Sequence, residues 1–343
     1  MQNEPSVEIP TWAYAYVNSN SSGNIKTMPA DFIVEEQLPF QPEGDGEHAF
    51  VQIEKSGENT EYVARLLARF AGVRQRDVSF AGLKDRHAIT TQWFSIWLPG
   101  KDDPDWKQVE TENIKVLQAI RHARKLKRGV LSGNQFQIVI RDWRGDREVM
   151  ESQLQLIKEQ GMPNYFGDQR FGLKGQNINK ALALFEGAKV KREQRSIYLS
   201  AVRSYIFNQL LSERVLTGNW NQGICGDVFG FDESNSYFKT DKLDASAIER
   251  IKIGEIHPTG LMAGKGLAET TADALAIEDS IINTHQTLVN GLVKFDLKAD
   301  RRALRVFVKN LKWEFKQDSS VLLSFFLPAG SYATALLREL LHS

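Results

Sequence analysis

Apolar and polar positions that alternate mark a half-buried strand, and apolar positions three or four apart mark one face of a helix. Residues 48–54, HAFVQIE, alternate and predict a strand. Val63, Leu66, Leu67 and Phe70 then recur at helical spacing. Asn59 or Thr60 serves as the cap before them and Gly72 as the stop after them. Residues 92–98, QWFSIWL, are rich in aromatic and β-branched side chains and read as a strand. Residues 134–141, NQFQIVIR, alternate with Phe136, Ile138 and Ile140 on one face. A helix is predicted over 147–160, ending at Gly161.

The texture changes at residues 163–172, PNYFGDQRFG. A long helix is predicted over about 195–216, followed by a looser segment, GNWNQGICGDVFGFDESNS. Residues 256–267, IHPTGLMAGKGL, read as a glycine-rich loop, and 268–294 as helical. Strands return at 303–308, ALRVFV, and 321–327, VLLSFFL. Pro328-Ala329-Gly330 breaks that pattern before a closing helix from Tyr332 to Leu341. Strand-rich ends around a helical middle predict one α+β sheet domain interrupted by an insertion.

Length supports this division, since 343 residues exceed one typical core. The composition, 42% hydrophobic and 25% charged, is that of an ordinary globular protein. With 43 basic and 43 acidic side chains the formal net charge is zero, so any nucleic-acid surface must come from local segregation of charge. The single cysteine, Cys225, allows neither an intrachain disulfide nor a thiolate metal cage and is read as structural or incidental. The first residues lack the basic-then-apolar order of a secretory leader, and no run of 18 apolar residues is present. The expectation is a soluble cytoplasmic protein.

Several chemistries are disfavoured by spacing. GLMAGKG at 260–266 lacks the four-residue spacing and hydroxyl of a phosphate-binding P-loop. No GxGxxG follows a strand and no GxSxG is present. The six histidines (48, 87, 122, 257, 285 and 342) show no HxxxH or HxH spacing.

Three segments carry candidate chemistry. In 79–93, SFAGLKDRHAITTQW, a small Ala81-Gly82 pair precedes Lys84, Asp85, Arg86 and His87. A carboxylate flanked by cations is held ionised, and an oriented aspartate serves as nucleophile or base. The plain alternative is a charged turn between elements, because structural ion pairs do the same to a carboxylate. In 26–40, KTMPADFIVEEQLPF, Lys26 precedes a proline turn into a short strand at Ile33-Val34, read as an edge strand with Lys26 as one surface lysine. Between Asn113 and Arg141 no acidic residue occurs, whereas Lys115, Arg121, Arg124, Lys125, Lys127, Arg128 and Arg141 do, with His122. Such a block suits phosphate contact, or is simply a solvated face. GNQF at 133–136 follows, offering Phe136 either as a stacking surface for a base or as core. Arg170 and Lys174, beside PNYFG, are further candidate phosphate contacts, and Tyr165 and Phe166 there suit core packing as well.

FAGLKDRHAITTQWFSI, GEHAFVQIEKSGENT, KLKRGVLSGNQF, PNYFGDQRFG and LPAGSYATALLREL resemble, as a set, the motifs of the TruD pseudouridine synthases. The matching segments run from about residue 26 to residue 340. About 217–295 carries little that matches. The resemblance implies an α+β catalytic domain of the pseudouridine synthase type, with a mixed or antiparallel sheet and helices. It also implies a second, inserted α/β domain, with boundaries expected at 1–160 plus 300–343 and at 161–299. The implied activity is isomerisation of uridine to pseudouridine in tRNA, at position 13 for bacterial members, by a monomer needing no cofactor, metal or membrane. By resemblance Asp85 is the catalytic carboxylate, through either covalent attack or proton abstraction. Lys26 matches the lysine that pairs with it, Phe136 the aromatic that stacks on the target base, and Asn134 a polar contact, with Phe32 added from the turn after Lys26. The base must leave its stack to reach Asp85, and the basic block would hold the RNA backbone.

Two readings from other classes stand beside this one. An RNA-binding or RNA-folding protein on the same scaffold needs no catalysis. An aspartate-dependent hydrolase of nucleosides or glycosides normally needs two paired carboxylates, and the 79–93 segment supplies one.

Overall fold

A computed structural model describes residues 7–16, 20–232, 234, 236–240, 243–266 and 269–341. His342 and the last residue of the 256–267 segment lie outside the described residues. The chain divides into two compact units. One combines Ser21–Gly145 with Val308–Gly330, and the other holds the remainder.

The first unit is built on a nine-stranded sheet among the described residues. Its main path runs Lys309–Phe315, Val321–Pro328, Gly133–Arg144, Phe32–Gln37, Ile89–Trp97, His48–Ser56, Ile114–His122. The pair Phe32–Gln37 with Ile89–Trp97 is parallel, and the other neighbours on this path are antiparallel. The expected edge strand at Ile33-Val34 is therefore a central one. Pro29 sits in the preceding 3-10 turn, Pro29–Asp31, so the strand contains no proline and pairs along both sides. The strand at 48–56 shows why its alternation includes so many apolar residues. Ala49, Val51 and Ile53 pack under the helix Thr60–Phe70 with Val63 and Leu67, while Phe50 packs on the other face with Trp93 and Leu126. Asn59 occupies the cap position without a side-chain cap bond. The Thr60 hydroxyl instead donates to Gln92 Oε1 at 2.8 Å, which turns it toward the sheet.

In the second unit the helix Arg147–Gln160 starts on an Asp146 cap that accepts from Glu148 N and Val149 N, and Gly161 follows it at φ 81°. The long helix spans Arg192–Leu216. The segment read as a glycine-rich loop is mostly a strand, Ile256–Met262, within a four-stranded sheet. Its neighbours are Val228–Phe231 and Asp300–Ala303. Gly260 is there for closeness rather than flexibility. A Cβ on it would lie 2.8 Å from Leu304 Cδ2 and 2.9 Å from Leu210 Cδ2, so glycine lets the long helix approach the strand. The helical stretch expected over 268–294 is two helices, Ala272–Thr284 and Gln286–Lys294.

The unit boundaries lie elsewhere than at 160/161 and 299/300. Residues before 21, the helix Arg147–Gln160, the 300–307 segment and the closing helix Ala333–Leu340 all belong with the second unit. Pairing explains this. Arg305–Val306 pairs with Met162–Pro163, and buried Glu339 of the closing helix accepts from Ala15 N at 2.9 Å. Among the described residues no helix is long and apolar enough to cross a membrane.

Candidate active site

The site lies wholly within the first unit. Asp85 sits in the loop between the strands Val78–Phe80 and Ile89–Trp97. That loop is fastened from several sides. The Thr60 hydroxyl accepts from Lys84 N at 3.0 Å, and Gln92 Nε2 donates to Gly82 O at 3.3 Å. Buried Lys55 donates to Asp85 O at 3.1 Å and to Glu58 O at 2.7 Å. His87 N donates to Asp85 Oδ1 at 3.2 Å, fixing the carboxylate rotamer. The carboxyl and its loop are thus held by backbone and side-chain bonds, while the side chain stays 26% exposed.

Lys26 Nζ forms an ion pair with Asp85 Oδ2, and its side chain is 20% exposed, so both charged ends remain reachable. Lys26 has φ 57°, a left-handed conformation that is uncommon for a lysine and costs on the order of 1 kcal/mol. The turn at this residue precedes the Pro29–Asp31 turn and the central strand. The Lys26 ammonium also lies 4.3 Å from the Phe32 ring centroid, so Phe32 touches the ion pair directly.

A second, deeper layer supports this pair. Glu36 and Asn134 are directly opposite one another on adjacent strands. Lys84 Nζ bridges them, 2.6 Å from Asn134 Oδ1 and 2.9 Å from Glu36 Oε2, with Lys84 7% exposed and the Glu36 side chain fully buried. Glu36 Oε1 also accepts from Trp93 N at 3.2 Å. Lys26 thus stands beside the Asp85 carboxylate and Lys55 beneath its backbone. The chain neighbour Lys84 turns away to orient Asn134. Burial pushes the Lys55 ammonium down to about 8, with the charges of Asp85 and Glu58 opposing the shift.

Phe136 lies on the same strand face as Asn134, stacked on Phe325 at 5.2 Å and edge-on to Phe32 at 6.2 Å. It is 7% exposed, so in this structure its ring is enclosed by those two phenylalanines. The basic block divides. Arg121 is tied to Asp103 and to the carbonyls of Gly46, Leu98 and Lys101. Arg141 pairs with Asp31, and Lys115 with Glu54. Arg124, Lys125, Lys127 and Arg128 are exposed. Of these, Lys125 donates to Arg76 O and Arg128 lies 3.6 Å above the Phe80 ring near Glu61. Arg170 and Lys174 belong to the second unit, where Arg170 donates to Ser200 Oγ and to the Tyr332 hydroxyl.

The structure brings Lys26, Phe32 and Asp85, grouped by the family resemblance, into contact, and sets Asn134 against Lys84. Lys55 and Glu36, which the sequence did not single out, lie beside them. Glu36 carries no signal in a strand that reads as an edge, and Lys55 shows only as a cation near the end of a largely apolar strand.

The tRNA pseudouridine synthase D (TruD) family model matches residues 8–187 and 174–340. A tRNA pseudouridine synthase D from Methylococcus capsulatus is 49% identical over 320 residues, 93% of this chain and 90% of that one. Another from Hydrogenovibrio crunogenus is 43% identical over 336 residues, 97% of each. The chain belongs to the TruD family. A solved structure of a Methanosarcina mazei TruD protein shares the fold, with a TM-score of 0.76 at 23% identity over 99% of this chain and 98% of that one. Within this TruD chain, a positioned, partly exposed carboxylate with a cation in contact is suited to nucleophilic attack or proton abstraction at a sugar or base that reaches the loop.

Proposed function

We propose that this chain isomerises uridine to pseudouridine in tRNA, with position 13 as its target and Asp85 as the reacting carboxylate. The observation that carries the proposal is the Lys26–Asp85 ion pair, held on a fastened loop yet open to solvent, in a chain of the TruD family. The reaction breaks the bond from the sugar to a ring nitrogen and remakes it to a ring carbon. Asp85 either attacks covalently or removes a proton. Lys26 compensates the carboxylate charge until substrate arrives. Asn134, oriented by Lys84, offers its amide to the base or to the Asp85 region. Phe32 and Phe136 form the apolar wall beside the pair, and a base stacks there only after their rings shift to admit it.

The sheet unit, Ser21–Gly145 with Val308–Gly330, is in this reading the catalytic domain. Arg124, Lys125, Lys127 and Arg128 on its surface contact RNA phosphates, as do Arg170 and Lys174 of the second unit. Arg121 serves that surface by holding its segment in place. The protein works as a monomer in the cytoplasm, where its tRNA substrate is, without cofactor or metal.

The test uses bulk tRNA from cells lacking this protein, incubated with purified enzyme and mapped for pseudouridine by chemical modification and primer-extension stops. A new stop at one uridine is expected with the parent and none with Asp85→Asn, which keeps its fold and its RNA affinity. Full turnover by Asp85→Asn removes Asp85 from the chemistry. Release of free uracil by the parent replaces isomerisation with hydrolysis. Tight binding with no new stop favours an RNA-binding role.

A further inference from the structure

The loop that carries Asp85 also carries Leu83, which is 69% exposed. It is the most exposed large apolar side chain of the first unit. Single exposed leucines are common, and exposure alone decides nothing. What sets Leu83 apart is where it stands and how it is held. It precedes Asp85 by two residues, so the two Cα atoms are at most about 7 Å apart. The backbone on either side of it is pinned by one buried bridge. Gln92 Nε2 donates to Gly82 O at 3.3 Å, and the Thr60 hydroxyl donates to Gln92 Oε1 at 2.8 Å. The same hydroxyl accepts from Lys84 N at 3.0 Å, which closes the bridge beyond Leu83. Gln92 and Thr60 are both buried. This clamp keeps the leucine at a fixed place near the carboxylate.

The next side chains on the loop are engaged. Lys84 reaches inward to Asn134 and Glu36, Asp85 pairs with Lys26, and Arg86 Nε donates to Gly57 O at 2.8 Å. Phe136 is enclosed between Phe32 and Phe325, so its ring does not stand ready to replace a base in the RNA. A uridine that leaves a base stack opens a gap between its two former neighbours, and closing that gap draws the base back. An apolar side chain that enters the gap restores contact with both neighbours and brings no unpaired polar group there. We propose that Leu83 is the wedge that takes the place of the target uridine in the RNA stack while the base is held at Asp85. This rests on the RNA-modifying reading of the chain and deepens it by naming the substrate class, a uridine stacked within a paired stem rather than one already free in a loop.

The test uses two versions of the tRNA that carries the mapped uridine. One is unaltered. In the other the nucleotide opposite the target is replaced by an abasic site, which lowers the cost of extruding the base. Pseudouridine formation is followed in single turnover with enzyme in excess. Leu83→Ala is expected to slow the unaltered tRNA about tenfold and the altered one by less than about twofold, with Leu83→Met close to the parent on both. Leu117→Ala, exposed on the strand Ile114–His122, serves as control and should match the parent. A second measurement needs no turnover. With 2-aminopurine next to the target uridine, binding of Asp85→Asn should raise the fluorescence several-fold, and the double variant with Leu83→Ala should lose most of that rise.

Equal slowing of both RNAs by Leu83→Ala means that the leucine shapes the loop and not the stack, and it overturns the wedge. Full activity of Leu83→Ala on the unaltered tRNA does the same. So does a defect found in His87→Ala and absent from Leu83→Ala, or a mapped uridine that lies unpaired in a loop. A parent that forms no pseudouridine in either RNA overturns the proposed function and the wedge with it. A parent active on both, with Leu83→Ala unimpaired, overturns the wedge alone.

Discussion

Asp85 illustrates how a carboxylate becomes available for chemistry without being loose. Its loop is fixed through Lys84 N, Gly82 O and its own carbonyl, while the carboxyl group stays partly exposed beside Lys26. Lys55 carries a pH dependence that follows from its position. Its folded value is about 8, against an ordinary lysine value of roughly 10.4 in the unfolded chain. Between these the unfolded chain holds a proton that the folded one has released, so raising the pH across this window favours folding through this group. The gain is roughly 1 kcal/mol per pH unit. In urea unfolding at pH 7 and pH 9.5, the parent should gain stability relative to Lys55→Met as pH rises. An identical difference at both pH values refutes the shift. The buried pair of Lys84 and Glu36 gives a second residue-level expectation. Glu36→Leu leaves a buried ammonium uncompensated and should cost about 3–5 kcal/mol. Adding Lys84→Met should restore much of that stability without restoring turnover, because Asn134 then loses the donor that orients it. A double variant as unstable as the single one, by chemical denaturation, contradicts this account.

At the scale of elements, close approach decides more than propensity does. The strand Ile256–Met262 runs through Pro258 and Gly260, two residues that weaken a strand on sequence grounds. It forms because Gly260 fits between Leu210 of the long helix and Leu304. Gly260→Val is accordingly expected to destabilise the protein by about 1–3 kcal/mol through overpacking, seen as a lower urea midpoint with the m-value unchanged. A neutral result means that the helix moves away at no cost. The strand Phe32–Gln37 makes the converse point. Its approach through Pro29 looks like an edge, yet both of its sides are paired, and that central position puts Glu36 opposite Asn134. Helices were more legible. Asp146 and Gly161 bound one helix at the residues where capping and the positive φ of glycine require it.

For the whole molecule, a net charge of zero makes the location of charge matter more than its sum. The exposed residues Arg124, Lys125, Lys127 and Arg128, the last beside Glu61, form a local basic surface, whereas Arg121, Arg141 and Lys115 are committed to acidic partners. Lys127→Glu combined with Arg128→Glu is expected to weaken tRNA binding by about tenfold or more and to flatten its salt dependence, measured as affinity across a salt series. Unchanged affinity takes this surface out of the interface. Both units are discontinuous in sequence, dividing at 20/21, 145/146, 307/308 and 330/331, where the expected domains divide at 160/161 and 299/300. The local patterns at 147–160 and 332–341 state that helices form there, and nothing in them states which unit they join.

By itself the sequence determined the alternating strands and the helix that stops at Gly161, because each depends on residues close together in the chain, and its series of motifs marked the TruD family. Tertiary structure decided what depends on partners far apart. It turned Lys84 away from Asp85 toward Asn134, placed Lys55 beneath that loop, and enclosed Phe136 between Phe32 and Phe325. The physical reason is that a side chain's charge state and orientation follow from what surrounds it, and those surroundings are assembled from segments that the linear order keeps apart.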